Sequence, residues 1–459
     1  MKIFVLLILF FAVISAKAET LPKVEREFRA VWIATVDNID FPTAKNLSIE
    51  EQKAELIKDL ELAEALRMNA VIFQVRPMCD AVYESKIEPW SEFLTGKMGK
   101  AQAFDPLKFI VSEAHKRGIL VHAWFNPYRA YHPAAKTVSE NHITKRRPDL
   151  VRKYGKYLWL DPTEPEVQKY SLSVVLDVVR RYDIDGVHFD DYFYPYAEKD
   201  ENGNKIEFPD DANYKKYVQS AMQAGLKSKG KIPSPLSRDV WRRLNVNQFI
   251  ESVGREIKKI KPEVMYGISP IGVSQVNQNE LFADAEFWLE QGIIDYFVPQ
   301  LYWKSDRPNR EFPLLLKYWE SVNPKKRHVW AGLGTYKIPS RTENFSAAEI
   351  IKQISYTREI QTTSGNIQFS FKSVRSDFDG IQKALRENAY QRGAIIPQSN
   401  WIKTAKILAP KVKITRDLQF VRAHWTEQGT KKAFWFIVYA KDKNGWSYSI
   451  LPSAQKSIA

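Results

Sequence analysis

Eight short runs rich in Val, Ile, Phe and Tyr constrain this chain more than any other feature, because amphipathic helical stretches separate them. They are FRAVWIATV (28–36), AVIFQVRP (70–77), ILVHAWFNPYR (119–129), DGVHFDDYFYP (185–195), VMYGISPIG (264–272), DYFVPQLYW (295–303), HVWAGLGTY (328–336) and NIQFSFKSV (366–374). Short apolar runs alternating with helices are the rhythm of parallel βα units. Eight units predict an α/β fold, a closed (β/α)8 TIM-type barrel, whose core of about 250 residues grows by loop insertions. The barrel is placed at 26–400, with 196–245 as an insertion after the fourth strand. An open, doubly wound sheet is the rival, but no glycine-rich phosphate loop follows the first strand.

The helices carry their own punctuation. Ser48 and Glu51 form a capping box before a helix that buries Ile49, Ile57, Leu60 and Leu66, and Ser346 with Glu349 repeats the device. Asp161-Pro162 reads as another helix start, followed by Val167, Val174, Val175, Val178 and Val179 at core-facing spacing.

Residues 1–18, MKIFVLLILFFAVISAKA, have the plan of a secretory signal peptide: a lysine, an apolar run and a small-x-small end. Export to the periplasm or medium is expected, which disfavours nucleic acid as a partner. No other stretch approaches the ~20 apolar residues of a span, so no stable membrane anchor is expected. Cys79 is the only cysteine and leaves no internal disulfide. The formal net charge is +14, and residues 405–459 supply half of it with ten Lys/Arg against three Asp/Glu. A solvated basic face and affinity for an acidic polymer both fit that excess. After Pro410 the pattern becomes alternating strands with a turn at Asn444-Gly445, a small and incomplete all-β segment (410–459) that resembles the first half of a fibronectin type III sandwich.

Barrel strands begin apolar here and end polar. Asp37 and Asn38 follow the first, Gln74 and Arg76 close the second, and Asn126, Tyr128 and Arg129 close the third. His188, Asp190, Asp191, Tyr192 and Tyr194 end the fourth; Gln300, Tyr302 and Trp303 end the sixth. In a parallel barrel these ends share one rim. Aromatic faces stack on sugar rings while amides, Arg and carboxylates answer hydroxyls, so the lining suits a glycan. Trp303 is the better sugar platform, and Trp32 and Trp124, inside strands, read as packing. No metal or cofactor is expected, since His188, Asp190 and Asp191 have no second His/Glu cluster at ligand spacing.

Strand parity turns His188 and Asp190 inward and leaves Asp191 at the turn onto the rim. Asp191 is assigned as proton donor and Asp190 as the partner that tunes it, although the two roles are interchangeable at this level. Asp190 pairing with Arg76 or Arg129 as a structural salt bridge is the bland alternative. Arg76 and Arg129 are equally candidates to hold a substrate carboxylate. The second catalytic group is assigned to Asp37, unless a substrate N-acetyl group replaces it, because HVWAGLGTY offers no glutamate on strand seven.

FRAVWIATVDNIDFP, FQVRP, HAWFNPYR, DGVHFDDYFYP, DVWRRLNVNQFI, YGISPIG and PQLYW, in this order over residues 27–400, resemble the glycosyl-hydrolase-like 10 family of secreted or periplasmic barrel proteins. The resemblance implies action on bacterial envelope glycans, including peptidoglycan strands stripped of their peptides. It also places Trp241, Arg242 and Arg243 as a family feature, over the cleft or pinning the following helix. A glycan-binding protein whose catalytic pair has drifted is the main alternative. A deacetylase would want a His-rich metal site, which His122, His188 and His328 do not provide, and His132 and His142 receive no role.

Overall fold

The structure is a computed structural model describing residues 20–227, 234–339, 345–360, 364–404, 406–416, 421–442 and 445–458. The leader at 1–18 and Asn444 of the expected turn lie outside the described residues. Eight parallel strands form the core: β1 (Phe28–Ile33), β2 (Ala70–Arg76), β3 (Leu120–Phe125), β4 (Gly186–Phe189), β5 (Met265–Ile268), β6 (Tyr296–Phe297), β7 (His328–Val329 and Ala331–Leu333) and β8 (Gly365–Gln368). β1 to β6 pair in sequence order, and β8 returns to β1 with Gln368 opposite Val31. β7 closes the ring, its first segment pairing with β6 and its second with β8. The (β/α)8 barrel read from the eight runs is the fold.

Alternation along the strands sorts side chains into two cores. Phe28, Ala30, Trp32, Ile72, Trp124, Tyr296, Trp330 and Ile367 fill the lumen, while Val31, Ile33, Val71, Phe73, Val121 and Val187 pack outward against helices. Rings stack through the lumen, with Phe28 on Trp330 at 3.8 Å between centroids and Tyr296 on Trp330 at 4.9 Å. Two glycines make room for this column. A β-carbon at Gly267 would lie 2.1 Å from Tyr296 Cζ, and one at Gly186 2.5 Å from His122 Nδ1. Burial pushes His122 down to about 3 and holds His188 well below the usual imidazole range, so both stay neutral and share the Tyr296 hydroxyl at 2.8 and 3.1 Å.

The helices α1 (Ile49–Ala65), α2 (Pro165–Arg181), α3 (Asp211–Lys227), α4 (Arg238–Ile260) and α5 (Ala347–Glu359) include the punctuation read from the sequence. The Ser48–Glu51 capping box forms with both hydrogen bonds. At α5 only half does: Ser346 accepts from the Glu349 amide, but the Glu349 carboxylate turns to the Ser305 amide and hydroxyl, each at 2.7 Å. α2 begins at Pro165, three residues past the expected start, because Asp161 accepts from the Thr163 amide and hydroxyl and so closes a turn. Its five valines are buried as expected. The 196–245 insertion contains α3 and leads into α4, and a three-stranded antiparallel sheet (Arg129–Tyr131, Val151–Tyr154, Tyr157–Leu160) follows β3.

The C-terminal segment forms two small antiparallel sheets, one from Lys411–Arg416, Val421–Thr426 and Ser457–Ile458, the other from Trp435–Asp442 and Gly445–Pro452. Trp435 Nε1 donates to Gly118 O at 2.9 Å and the Tyr448 hydroxyl to Gly393 O at 3.2 Å, which fasten the second sheet to the barrel. Among its described residues only Trp425 and Phe436 are buried apolar side chains, and Lys411–Arg416 is exposed on both faces.

Candidate active site

Asp190 and Asp191 stand one and two residues past β4, where the strand has ended and successive side chains can part. Asp190 continues the inward parity of His188 and lies against lumen residues: Trp124 Nε1 donates to it at 3.1 Å, Asn126 Nδ2 at 3.3 Å and the Tyr192 amide at 3.2 Å. Asp191 faces the β6 end, accepting from Gln300 Nε2 at 3.1 Å and from the Tyr196 hydroxyl. Gln300 also donates to Ser269 O at 2.9 Å, which ties β5, β6 and the β4 turn together.

Both carboxylates are nearly enclosed, with 4% and 2% exposure, and half-buried Tyr192, Gln300 and Tyr302 lie around them. Burial raises Asp190 to about 7, the neighbouring Asp191 charge adds to the effect, and Arg129 opposes it. Burial also raises Asp191, against the hydrogen bonds from Tyr196 and Gln300. Two like charges in contact in a low-dielectric site cannot both ionise easily, so the pair holds a proton near neutral pH.

The other sequence-named residues divide into those brought to this mouth and those engaged elsewhere. Asn126, Arg129, His188, Tyr192, Gln300, Tyr302 and Trp303 belong to the mouth or the lumen just beneath it. Arg129 lies over the Tyr192 ring at 5.2 Å, its Nε donating to Pro77 O at 3.0 Å. Tyr302 packs with Tyr336 and Phe369. His188 is a lumen residue, with Nε2 within 3.2 Å of Trp32 Nε1 and 3.0 Å of the Ser269 hydroxyl, which leaves it no reach to the rim. Asp37 sits exposed on the turn after β1, with φ at 54°.

Arg76 corrects the expected pairing. Its Nε and Nη2 hold Glu88 at 2.6 to 3.0 Å, Nη1 donates to Asn126 O at 2.7 Å and Pro127 O at 2.8 Å, and Nη2 reaches Cys79 Sγ at 3.2 Å. All of its donor directions are engaged. It therefore neither pairs with Asp190 nor has a hand for a substrate carboxylate. Gln74 Oε1 accepts the Thr35 and Val36 amides, both at 2.9 Å, and Asn38 Nδ2 donates to Pro42 O and Phe93 O, both at 2.8 Å, so these amides shape the loops after β1. Tyr128 is fully buried against Phe249. Tyr194, Trp241 and Arg242 form a separate cluster: Arg242 and Tyr194 both bond Asp210, and Trp241 stacks with Tyr217 within the insertion.

Tyr196, Ser269 and the Trp124 indole are contacts that sequence reasoning passed over. Tyr196 lies just past the quoted DGVHFDDYFYP, and Trp124 was read only as packing. The His132 ring lies 5.8 Å from Tyr157, and burial with nearby Arg129 pushes it down to about 4. No group of three or more His, Cys, Asp or Glu able to hold a metal occurs among the described residues.

Residues 27–348 match the sequence model of the family Glycosyl hydrolase-like 10. The chain belongs to that family. Among relatives of this glycosyl hydrolase-like 10 chain, Glycosyl hydrolase YngK of Bacillus subtilis (strain 168) is 37% identical over 443 residues, covering 90% of this chain and 83% of its own. Glycosyl hydrolase DigH of Escherichia coli (strain K12) is 34% identical over 412 residues, covering 81% and 87%. Of solved structures, the catalytic domain of β-amylase from Paenibacillus polymyxa aligns with a TM-score of 0.53 at 11% identity over 81% of this chain and all of that one, a likeness of fold. The barrel is thus a glycosidase-like one.

Proposed function

We propose that the chain is a glycoside hydrolase that cuts a bacterial envelope polysaccharide, namely amino-sugar glycan strands of the peptide-free peptidoglycan type. The observation that carries this reading is the adjacent pair Asp190–Asp191 at the β4 mouth, where burial keeps a proton available near neutral pH. A general acid serves best with a pKa near the working pH. Asp191 gives its proton to the glycosidic oxygen. Asp190, fixed by Trp124, Asn126 and the Tyr192 amide, tunes it by charge. Asp37, for whose carboxylate no hydrogen bond is found among the described residues, is the group that activates water, with a substrate N-acetyl group as its substitute. Arg129, Tyr192, Tyr302 and Trp303 hold the sugars. Export rests on the 1–18 leader, and the 410–459 segment is a fibronectin type III-like unit.

The test is digestion of peptide-free glycan strands with product masses read by mass spectrometry. Soluble saccharides are expected. Binding to the strands without release of saccharides anywhere from about pH 4 to 8 would instead make the chain a glycan-binding protein.

The Tyr196 hydroxyl stabilises the Asp191 carboxylate, so its removal must raise Asp191 further. If protonated Asp191 is the active form, the alkaline limb of kcat/KM moves up by about one pH unit in Tyr196→Phe. A limb that stays in place or moves down would remove Asp191 from the acid role.

A further inference from the structure

Three residues beyond Gln300, which binds Asp191, the chain opens into a second cleft of about 370 Å³. Three residues of extended chain span about 10 Å, so this cleft adjoins the proton donor. Trp303 and Phe345 supply its aromatic surface, and Lys304, Arg307 and Lys337 line it against a single acid, Asp306. Arg310 adds a further cation, its guanidinium 5.2 Å from the centre of the Trp303 ring.

These charges differ in how far they are already answered. Lys304 lies 3.5 Å from the exposed Asp306, a weak surface pair. Lys337 lies 5.9 Å from both the Tyr336 and Phe345 ring centres. The Arg307 side chain has no hydrogen-bond or ion-pair partner among the described residues, and it is exposed. The Glu349 carboxylate beneath the loop is taken up by Ser305 and by Gln353 at 2.8 Å, which pins the loop without neutralising Arg307. Deeper in the mouth, Arg76 is occupied by Glu88 and two carbonyls, while Arg129 donates from Nε to Pro77 O and turns its charge to the aspartates.

We propose that this cleft is a subsite for a sugar bearing a carboxylate, with Trp303 as the platform under the ring and Arg307 and Lys304 as the hands on the anion, so that the enzyme selects acidic glycans at the position next to the scissile linkage. The inference rests on reading the β4 mouth as a glycan site. An exposed arginine fork and a neighbouring ammonium recognise a carboxylate by charge-assisted hydrogen bonds, while neutral strands gain only the stacking.

The experiment compares peptide-free glycan strands from sacculi with the same strands after carbodiimide activation and borohydride reduction, which turns each carboxylate into an alcohol. Affinity is measured by calorimetry on the Asp191→Asn protein, and kcat/KM on the wild type. A preference of about tenfold for the carboxylated strands is expected in both, falling towards one in Lys304→Ala/Arg307→Ala while kcat/KM on the reduced strands is kept. Equal affinity for the two strands overturns the subsite, and if both are still cleaved the hydrolase reading stands. A preference in binding with no cleavage of either strand keeps the subsite and rejects the hydrolase. A preference that survives in the double variant places carboxylate recognition elsewhere and also overturns it.

Discussion

Asp191→Asn is expected to lower turnover of peptide-free glycan strands by at least ~10²-fold, the usual contribution of a positioned general acid. The substitution isolates the proton because it keeps the shape. An asparagine can present its carbonyl oxygen to Gln300, 3.1 Å away, and its amide to the oxygen of the Tyr196 hydroxyl, so the frame that holds residue 191 survives. Unfolding midpoints of variant and wild type should accordingly differ little, and KM should change far less than kcat. Asp190→Asn is the informative contrast. Removing that neighbouring charge lets Asp191 ionise at lower pH, so the alkaline limb of the profile moves down, where loss of Tyr196 moves it up. Turnover unchanged in Asp191→Asn would reject the assignment of the acid. A large loss in Asp190→Asn together with a small one in Asp191→Asn would exchange the two roles.

The barrel was legible because strand formation leaves a pattern with a short period. His188 and Asp190 could be turned inward from parity alone, and they do face Trp32 and Trp124 across the lumen. What parity cannot supply is the partner. Gln74, Asn38 and Arg76 have the residue types of a sugar site and stand at strand ends, yet Gln74 Oε1, Asn38 Nδ2 and the Arg76 guanidinium hold loop backbone or Glu88. A polar group in a half-buried rim must find a hydrogen bond somewhere, and whether loop or ligand provides it depends on chain that is distant in sequence. Asp161-Pro162 failed as a helix start for a related reason. Glu164-Pro165 offers the same signal three residues later, and the Thr163 contacts of Asp161 decide between them.

Glu88→Ala is expected to destabilise the protein by about 3–5 kcal/mol, the range for removing one member of a buried ion pair. Arg76 and Glu88 are 1% and 0% exposed in their side chains, and Nη2 to Oε1 is 2.6 Å. With the carboxylate gone, the guanidinium keeps the Asn126 and Pro127 carbonyls and the Cys79 sulfur but faces a cavity on its Nε side, and the Tyr170 hydroxyl loses its acceptor at 2.8 Å. Chemical denaturation monitored by tryptophan fluorescence measures the loss. Replacing both partners with apolar residues of similar volume should cost less than the single change, since no charge is then stranded. The effect reaches the site through a single residue. Arg76 Nη1 grips Asn126 O, and the Asn126 side chain faces Asp190 at 3.3 Å, so loosening the grip should broaden the pH profile of turnover before it abolishes it. A Glu88→Ala protein as stable as wild type would mean that water or a rearranged acceptor satisfies Arg76 in place of the carboxylate, and the buried pair would then contribute little to stability.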